Sequence, residues 1–353
     1  MRSIQVVKFG KPLQMVSSEV PELRGTEVLL KVRAAGVCHT DLHLWHGGYD
    51  LGNGRVMPLE ERGVSLPLTM GHENVGEIIG TGEEVRGLEN GGVYLVYPWL
   101  GCGKCDMCSE GKENYCSKPS TIGINRPGGY SDYLLVPHSR YLIPLKSLSP
   151  REAAPLACSG LSCFSALRKL DQTILKNRPL VIIGAGGLGL MSIVLAKVLG
   201  SKGVIVIEPS MERRKAALEV GALAAFSPEE KNINRLITET ANNEILQILD
   251  FVGSEQTASL AFDLLAKGGH LVTLGLFGGA AGWPLPLLAI KAITVQGSYV
   301  GSLPELRELV ELVERHNLKL IPTQERQLAD VQQALERLEE GAVTGRFVIA
   351  PQE

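Results

Sequence analysis

Two kinds of hydrophobic pattern divide the chain. Up to about residue 150, apolar residues come in short runs, such as Glu27–Val32 and Tyr130–Val136, cut apart by glycine and proline. That is the pattern of a β-rich domain with long connections. From Leu180 onward, compact apolar runs alternate with helical stretches. Leu180–Ile183, Gly203–Ile207, Ile245–Phe251 and His270–Leu274 are predicted strands, with helices at Leu188–Leu199, Met211–Val220 and Thr257–Leu265. Strands alternating with helices imply a parallel sheet covered on both faces. The tail adds helices at Pro304–Arg315 and Ala329–Glu339 and a strand at Arg346–Ala350, with no internal repeat or low-complexity tract.

Leu180–Gly200 is apolar enough to suggest a membrane span. Its glycines and Lys197 fit a strand, tight turn and helix better. At 353 residues the chain exceeds what one core usually supports, so two domains are expected. The fold class is α/β, a doubly wound parallel sheet beside a β-rich domain. A net charge of −3 with mixed signs gives no electrostatic reason for a nucleic-acid or membrane partner. No secretory pattern opens the chain, since Lys8 and Lys11 interrupt it, and a cytoplasmic location is expected.

Seven cysteines in a reducing compartment point to metals or chemistry before disulfides. Cys102, Cys105, Cys108 and Cys116 form a C-x2-C-x2-C-x7-C loop. Four thiolates so spaced can close a tetrahedron around one zinc ion, leaving no open position, so the site is expected to be structural. Ligand type alone also allows an iron–sulfur cluster.

Gly184-Ala185-Gly186-Gly187-Leu188-Gly189 follows the strand at Leu180–Ile183 and opens a helix. Alone, G-x-G-x-x-G is weak. Between strand and helix it is a strong dinucleotide fingerprint, with the pyrophosphate on the helix N-terminus. Glu208, 24 residues after Gly184, ends the next strand, where a carboxylate can hold the ribose hydroxyls and repel a 2′-phosphate. NAD is therefore expected over NADP. Nearby Arg213 and Arg214 weigh the other way.

Cys38, His72 and Cys158 are each ordinary when taken singly, because isolated histidines and buried cysteines usually pack. Their contexts change the picture. Gly71-His72-Glu73 with Gly76, Gly82 and Val85 matches the G-H-E-x2-G-x5-G-x2-V signature of zinc alcohol dehydrogenases in the medium-chain dehydrogenase/reductase superfamily. Cys38-His39-Thr40-Asp41-Leu42-His43 and the four-cysteine loop resemble the same family, in the same order, along essentially the whole chain. Gly63–Pro67, Pro98-Trp99 and Gly275–Gly278 resemble its tetrameric bacterial and archaeal members most.

The resemblance implies a GroES-like catalytic domain from 1–159 and 300–353, and a Rossmann domain from 160–299. It implies that Cys38, His72 and Cys158 hold a catalytic zinc with one open position, giving two zinc ions per chain with the four-cysteine site. Glu73 would lie behind the metal, and Asp41 would orient the ligand histidine. Thr40 and His43 would relay the proton outward, and Trp99 would line the substrate cleft. Arg213 would pack near the adenosine ribose, and Arg346 would pair with the pyrophosphate. The implied reaction takes a primary or secondary alcohol to aldehyde or ketone with NAD, in a homotetramer or dimer. Two other readings stay open: a zinc polyol or threonine dehydrogenase of the same superfamily, and a zinc-free dinucleotide-binding protein. The stretch Tyr49–Gly63 is longer than in many relatives and suits either the cleft's mouth or a subunit contact.

Overall fold

The computed structural model describes residues 1–88 and 90–351. Six parallel strands form one sheet, in the order Ala224–Phe226, Val204–Ile207, Leu180–Ile183, Gln247–Asp250, His270–Thr273, Thr294–Gly297. The order reverses at Leu180–Ile183, so the crevice beyond that strand's C-terminal end is the expected ligand position for a doubly wound sheet.

The apolar runs are continuous because both faces are buried. Val181, Ile183, Ile205, Ile207, Ile248 and Leu271 point into a core shared with helices Ile233–Ala241 and Glu255–Leu264. Their alternating neighbours Leu180, Ile182, Val204, Val206, Leu249 and Val272 enter the other core. There they meet helix Gly187–Val198, which packs against helix Ser159–Lys169. Cys158 stands at the N-terminus of that last helix, so the cofactor layer and a predicted metal ligand are mechanically joined.

The second large sheet runs Leu142–Pro144, Val93–Val96, Glu73–Thr81, Val28–Gly36, Arg346–Ile349, Thr323–Arg326, with Tyr133–Val136 also paired to Val28–Gly36. All its pairings are antiparallel except the last, Thr323–Arg326 with Arg346–Ile349. Gly36 lies opposite Glu73 on one side and Val348 on the other. This register gathers Cys38, Glu73 and Arg346 at one end of the sheet. A smaller sheet joins Gln14–Ser17, Arg2–Val6 and Leu68–Thr69.

Most predicted elements differ from the observed ones only at their ends. The sequence pattern did not pick out edge strands Ala224–Phe226 and Thr294–Gly297 or helix Ile233–Ala241. Leu180–Gly200 is strand, turn and helix, and no helix among the described residues is long and apolar enough to cross a membrane. Tyr49–Gly63 forms a short hairpin, Gly48–Asp50 with Val56–Pro58, followed by a 3-10 turn at Leu59–Arg62.

Candidate active site and metal centres

A cleft of about 1300 Å³, open mouth included, lies at the crevice and is lined by Cys38, Cys158, Gly186, Glu208, Phe277 and Arg346 among others.

Cys38, His72, Glu73 and Cys158 bring their ligand atoms within 4.8 Å of one another, and all four side chains are buried. His72 is fully buried, and both its ring nitrogens lack a hydrogen-bond partner. Orphaned buried nitrogens beside two sulfurs are what a soft divalent cation would satisfy, so the donor set fits zinc. The Cys158 thiol, then the Arg346 guanidinium, pull Cys38 well below the usual thiol range. The Cys38 sulfur, and then burial, push Cys158 well above it. Both sulfurs ligate a metal as thiolates, so binding would release protons here.

Asp41 is fully buried and supports both Cys38 and His72. Its Oδ2 accepts from the Cys38 amide (2.9 Å) and the Tyr130 hydroxyl (2.8 Å), while Oδ1 lies 3.4 Å from His72 Nδ1. That arrangement would leave Nε2 as the nitrogen free to ligate a cation. Burial opposes a charge on His72, but Asp41 and the Cys38 sulfur outweigh it and raise its pKa. Glu73 forms a buried two-point ion pair with Arg346: Nε donates to Oε2 at 3.0 Å and Nη2 donates to Oε1. The third nitrogen, Nη1, would lie 3.2 Å from a Cβ built on Gly187. Arg346 thus spans from Glu73 to the glycine-rich turn, with two of its three nitrogens engaged by Glu73.

Cys102, Cys105, Cys108 and Cys116 also gather within 4.8 Å, in a separate lobe. Cys105 Sγ lies 3.5 Å from that of Cys108 and 3.7 Å from that of Cys116. Zinc–sulfur bonds of about 2.3 Å in a tetrahedron require edges of about 3.8 Å. The Lys104 and Cys105 amides hold Cys102 down to about 6, whereas burial pushes Cys108 up to about 12.

On the cofactor side, Gly184 has φ +92°, and a Cβ at Gly189 would sit 2.0 Å from the Gly184 carbonyl oxygen. Only glycine permits this turn. At Gly186 a Cβ would meet nothing within 4 Å, so the turn's open side faces the cleft. Leu188 also lines it. Glu208, 3% exposed, accepts from the Ala185 amide with Oε2 (2.8 Å) and the Ser210 amide with Oε1 (3.0 Å). Arg213 Nη1 lies 3.9 Å from Glu208 Oε1, and its Nη2 donates to the Gly341 carbonyl. Arg214 is committed to the Glu208 and Pro209 carbonyls.

Thr40 and His43 line the same cleft. Thr40 Oγ1 is 3.8 Å from Cys38 Sγ, and the His43 ring packs on Tyr49 with centroids 4.5 Å apart. No direct hydrogen bond joins Thr40 to His43. Trp99 is 3% exposed, donates to the Ala157 carbonyl (3.0 Å) and meets the His72 ring edge-on at 5.5 Å. Tyr49, Arg62, Ile124 and Tyr299 complete the cleft, and Tyr130 supports Asp41. The sequence reading gave none of these five a role singly, although Tyr49 and Arg62 lie in the stretch Tyr49–Gly63 that it read as suiting the cleft's mouth or a subunit contact. They come from segments whose meeting no local pattern announces.

Residues 24–147 match the alcohol dehydrogenase GroES-like domain, and residues 187–315 match the zinc-binding dehydrogenase domain. An NAD-dependent alcohol dehydrogenase of Sulfurisphaera tokodaii is 38% identical over 99% of this chain and 100% of its own length. A D-arabinose 1-dehydrogenase (NADP(+)) of Saccharolobus solfataricus is 36% identical over 98% and 96%. The crystal structure of the alcohol dehydrogenase from the hyperthermophilic archaeon Aeropyrum pernix matches with a TM-score of 0.90 at 31% identity, covering 99% of this chain and 100% of that one. Fold and site together define a zinc-binding dehydrogenase with a GroES-like domain. Within that class the chain belongs to the NAD-dependent alcohol dehydrogenases of the medium-chain superfamily.

Proposed function

We propose that the protein oxidises a primary or secondary alcohol to the aldehyde or ketone with NAD, or runs the reverse reduction, in a cytoplasmic homo-oligomer. One observation supports this above the others: Cys38, His72 and Cys158 converge, and the two cysteines line a cleft whose other wall is the glycine-rich turn. In this reading Cys38, His72 and Cys158 hold a catalytic zinc, and the four-cysteine lobe holds a second, structural one. When bound, zinc supplies a Lewis acid for the alcohol oxygen and NAD the hydride acceptor.

The chain's own residues do the rest. Asp41 fixes the His72 ring, and Trp99 covers it against water. Glu73 stays behind the sulfurs under the hold of Arg346. Thr40 stands beside Cys38, where its hydroxyl would accept the alcohol's proton while giving up its own toward the ribose of bound NAD. His43, further out against Tyr49, passes it to solvent. The Gly184–Gly189 turn receives the pyrophosphate beside the free Nη1 of Arg346. Glu208 takes the adenosine ribose and disfavours NADP.

Residues 1–159 and 300–353 are proposed as the catalytic domain and 160–299 as the cofactor domain; the last two residues lie outside the described ones. Self-association is supported by edge strand Thr294–Gly297, whose outer side pairs with no strand among the described residues, and by exposed Leu285, Leu287, Ile290 and Val295 beside it. A sugar or polyol substrate is the second reading, resting on the D-arabinose 1-dehydrogenase relative. Assaying primary, secondary, aromatic and polyol alcohols with NAD and NADP, alongside elemental analysis, tests the proposal. NAD-linked alcohol oxidation by protein containing two zinc ions per chain is expected. Activity surviving complete zinc removal would overturn it.

A further inference from the structure

Arg62 is a half-buried cation in the wall of the substrate cleft. It ends the 3-10 turn after the hairpin, and its guanidinium sits between two aromatic rings, 5.4 Å from the Tyr49 centroid and 5.8 Å from that of Tyr299. Nη2 donates to the Tyr299 hydroxyl at 3.2 Å. No carboxylate among the described residues forms an ion pair with it. The acid that shares the small neighbouring cavity, Glu113, is committed to Arg140. A guanidinium has five N–H donors, and phenol oxygens are poor substitutes for a counter-ion.

The position is as informative as the charge. Tyr299 meets Trp99 at 5.8 Å, and Trp99 meets His72 at 5.5 Å. Arg62 therefore stands two aromatic contacts beyond a metal ligand, at the far end of a cavity walled by Trp99, Tyr49 and Ile124. A substrate reaching from the metal to Arg62 needs an apolar body and an anionic end.

We propose that Arg62 is a specificity-determining residue and that the preferred substrates are hydroxy acids, with an alkyl or aryl spacer between the carbinol and a distal carboxylate. The inference rests on the alcohol dehydrogenase reading above. In the reaction the carbinol C–H and O–H bonds break. Two electrons and one proton pass to NAD+, one proton is released, and the carboxylate stays unchanged in the oxo acid product. Tyr49 and Tyr299 flank the guanidinium, and with Nη2 donating once to the Tyr299 hydroxyl its remaining N–H groups are left for a carboxylate in the cleft.

The test compares 4-(hydroxymethyl)benzoate with its uncharged isostere 4-(hydroxymethyl)benzamide, and ω-hydroxy acids of increasing length with the matching alkanols, on the zinc-containing enzyme with NAD. The wild type is expected to favour the acid in kcat/KM by at least about tenfold, the lower end for one charge-assisted contact at a partly exposed site. That preference should be carried by KM and shrink with added salt. In Arg62→Gln the acid-to-amide ratio should fall to about one, and Arg62→Lys should retain part of it. If Arg62→Gln does not fold, the wild type still decides: 4-methylbenzoate should inhibit benzyl alcohol oxidation more strongly than 4-methylbenzamide. Oxidation of the neutral alcohols with no preference for any acid, or an unchanged ratio in a folded Arg62→Gln enzyme, would overturn the proposal. Failure to oxidise any alcohol, acid or neutral, would instead sink the dehydrogenase reading and this inference with it.

Discussion

Replacing Glu208 by glutamine probes cofactor choice at the side chain that carries it. The two carboxylate oxygens already accept from Ala185 and Ser210 amides at 2.8 and 3.0 Å, and each keeps a lone pair for a ribose hydroxyl. Glutamine offers one acceptor oxygen, so its amide group must face one backbone N–H, donor against donor. Losing one charge-assisted bond to a hydroxyl costs about 1.5–3 kcal/mol. That corresponds to a fall in affinity of about 10- to 150-fold. An unpaired buried amide costs a further ~1–3 kcal/mol of stability. The dissociation constant for NADH, read by fluorescence titration, should rise at least about tenfold, with a lower melting temperature and little change in kcat at saturating NAD. NADP use should improve, because Arg213, 3.9 Å from the carboxylate, is released toward a 2′-phosphate. Reduced nicotinamide mononucleotide, which lacks the adenosine, separates two causes. Its affinity should hold if only the ribose contact is lost and fall if the glycine-rich turn also loosens. NADH affinity within about twofold of wild type, or a wild type that prefers NADP, would refute the reasoning.

Three further outcomes follow from the geometry. Cys105→Ser opens the tetrathiolate lobe and should halve the zinc content and lower thermal stability, while Cys38→Ala should abolish turnover with the circular dichroism spectrum intact; the reverse pattern would exchange the two sites' roles. Burial pushes His43 below the ordinary histidine value, so it stays neutral and able to accept a proton into mildly acidic pH. His43→Gln should therefore slow turnover most between that lowered pKa and neutrality, by less than the roughly 10²–10⁴-fold worth of a general base, with rescue by buffer; lost zinc or a pH-independent defect would count against the relay. Arg346→Met leaves Glu73 charged and alone in the interior, which should cost about 3–5 kcal/mol in a denaturation midpoint, and adding Glu73→Gln should recover part of it.

What the sequence made legible follows the physics of each element. Leu180–Ile183 was predicted to the residue because all four side chains are buried and Pro179 and Gly184 bound them. Thr294–Gly297 escaped because it is an edge strand, with only Gln296 partly covered and Val295 exposed, so it carries no buried apolar run. Helix Ile233–Ala241 begins after Asn232 at φ 60°, a left-handed residue in place of an ordinary cap, and buries only Ile237 and Ala241. The four-cysteine lobe could be read from spacing alone, since one loop supplies every sulfur. Cys38, His72 and Cys158 could be joined only through family resemblance, because the sheet register at Gly36 and a helix N-terminus bring them together. Arg346 adds a contact that resemblance did not imply. Beside the pyrophosphate role expected of it, the strand pairing of Val348 with Gly36 turns two of the guanidinium nitrogens onto Glu73. Substrate selectivity lies further still from sequence. Tyr49 and Arg62 belong to one stretch and Trp99 and Tyr299 to two others, the hairpin packs against the loop after Gly275, and all four residues line one cleft with Cys38 and Cys158. These residues sit where the chain is least periodic, so the wall of the cleft has to be argued from contacts between loops and not from sequence pattern.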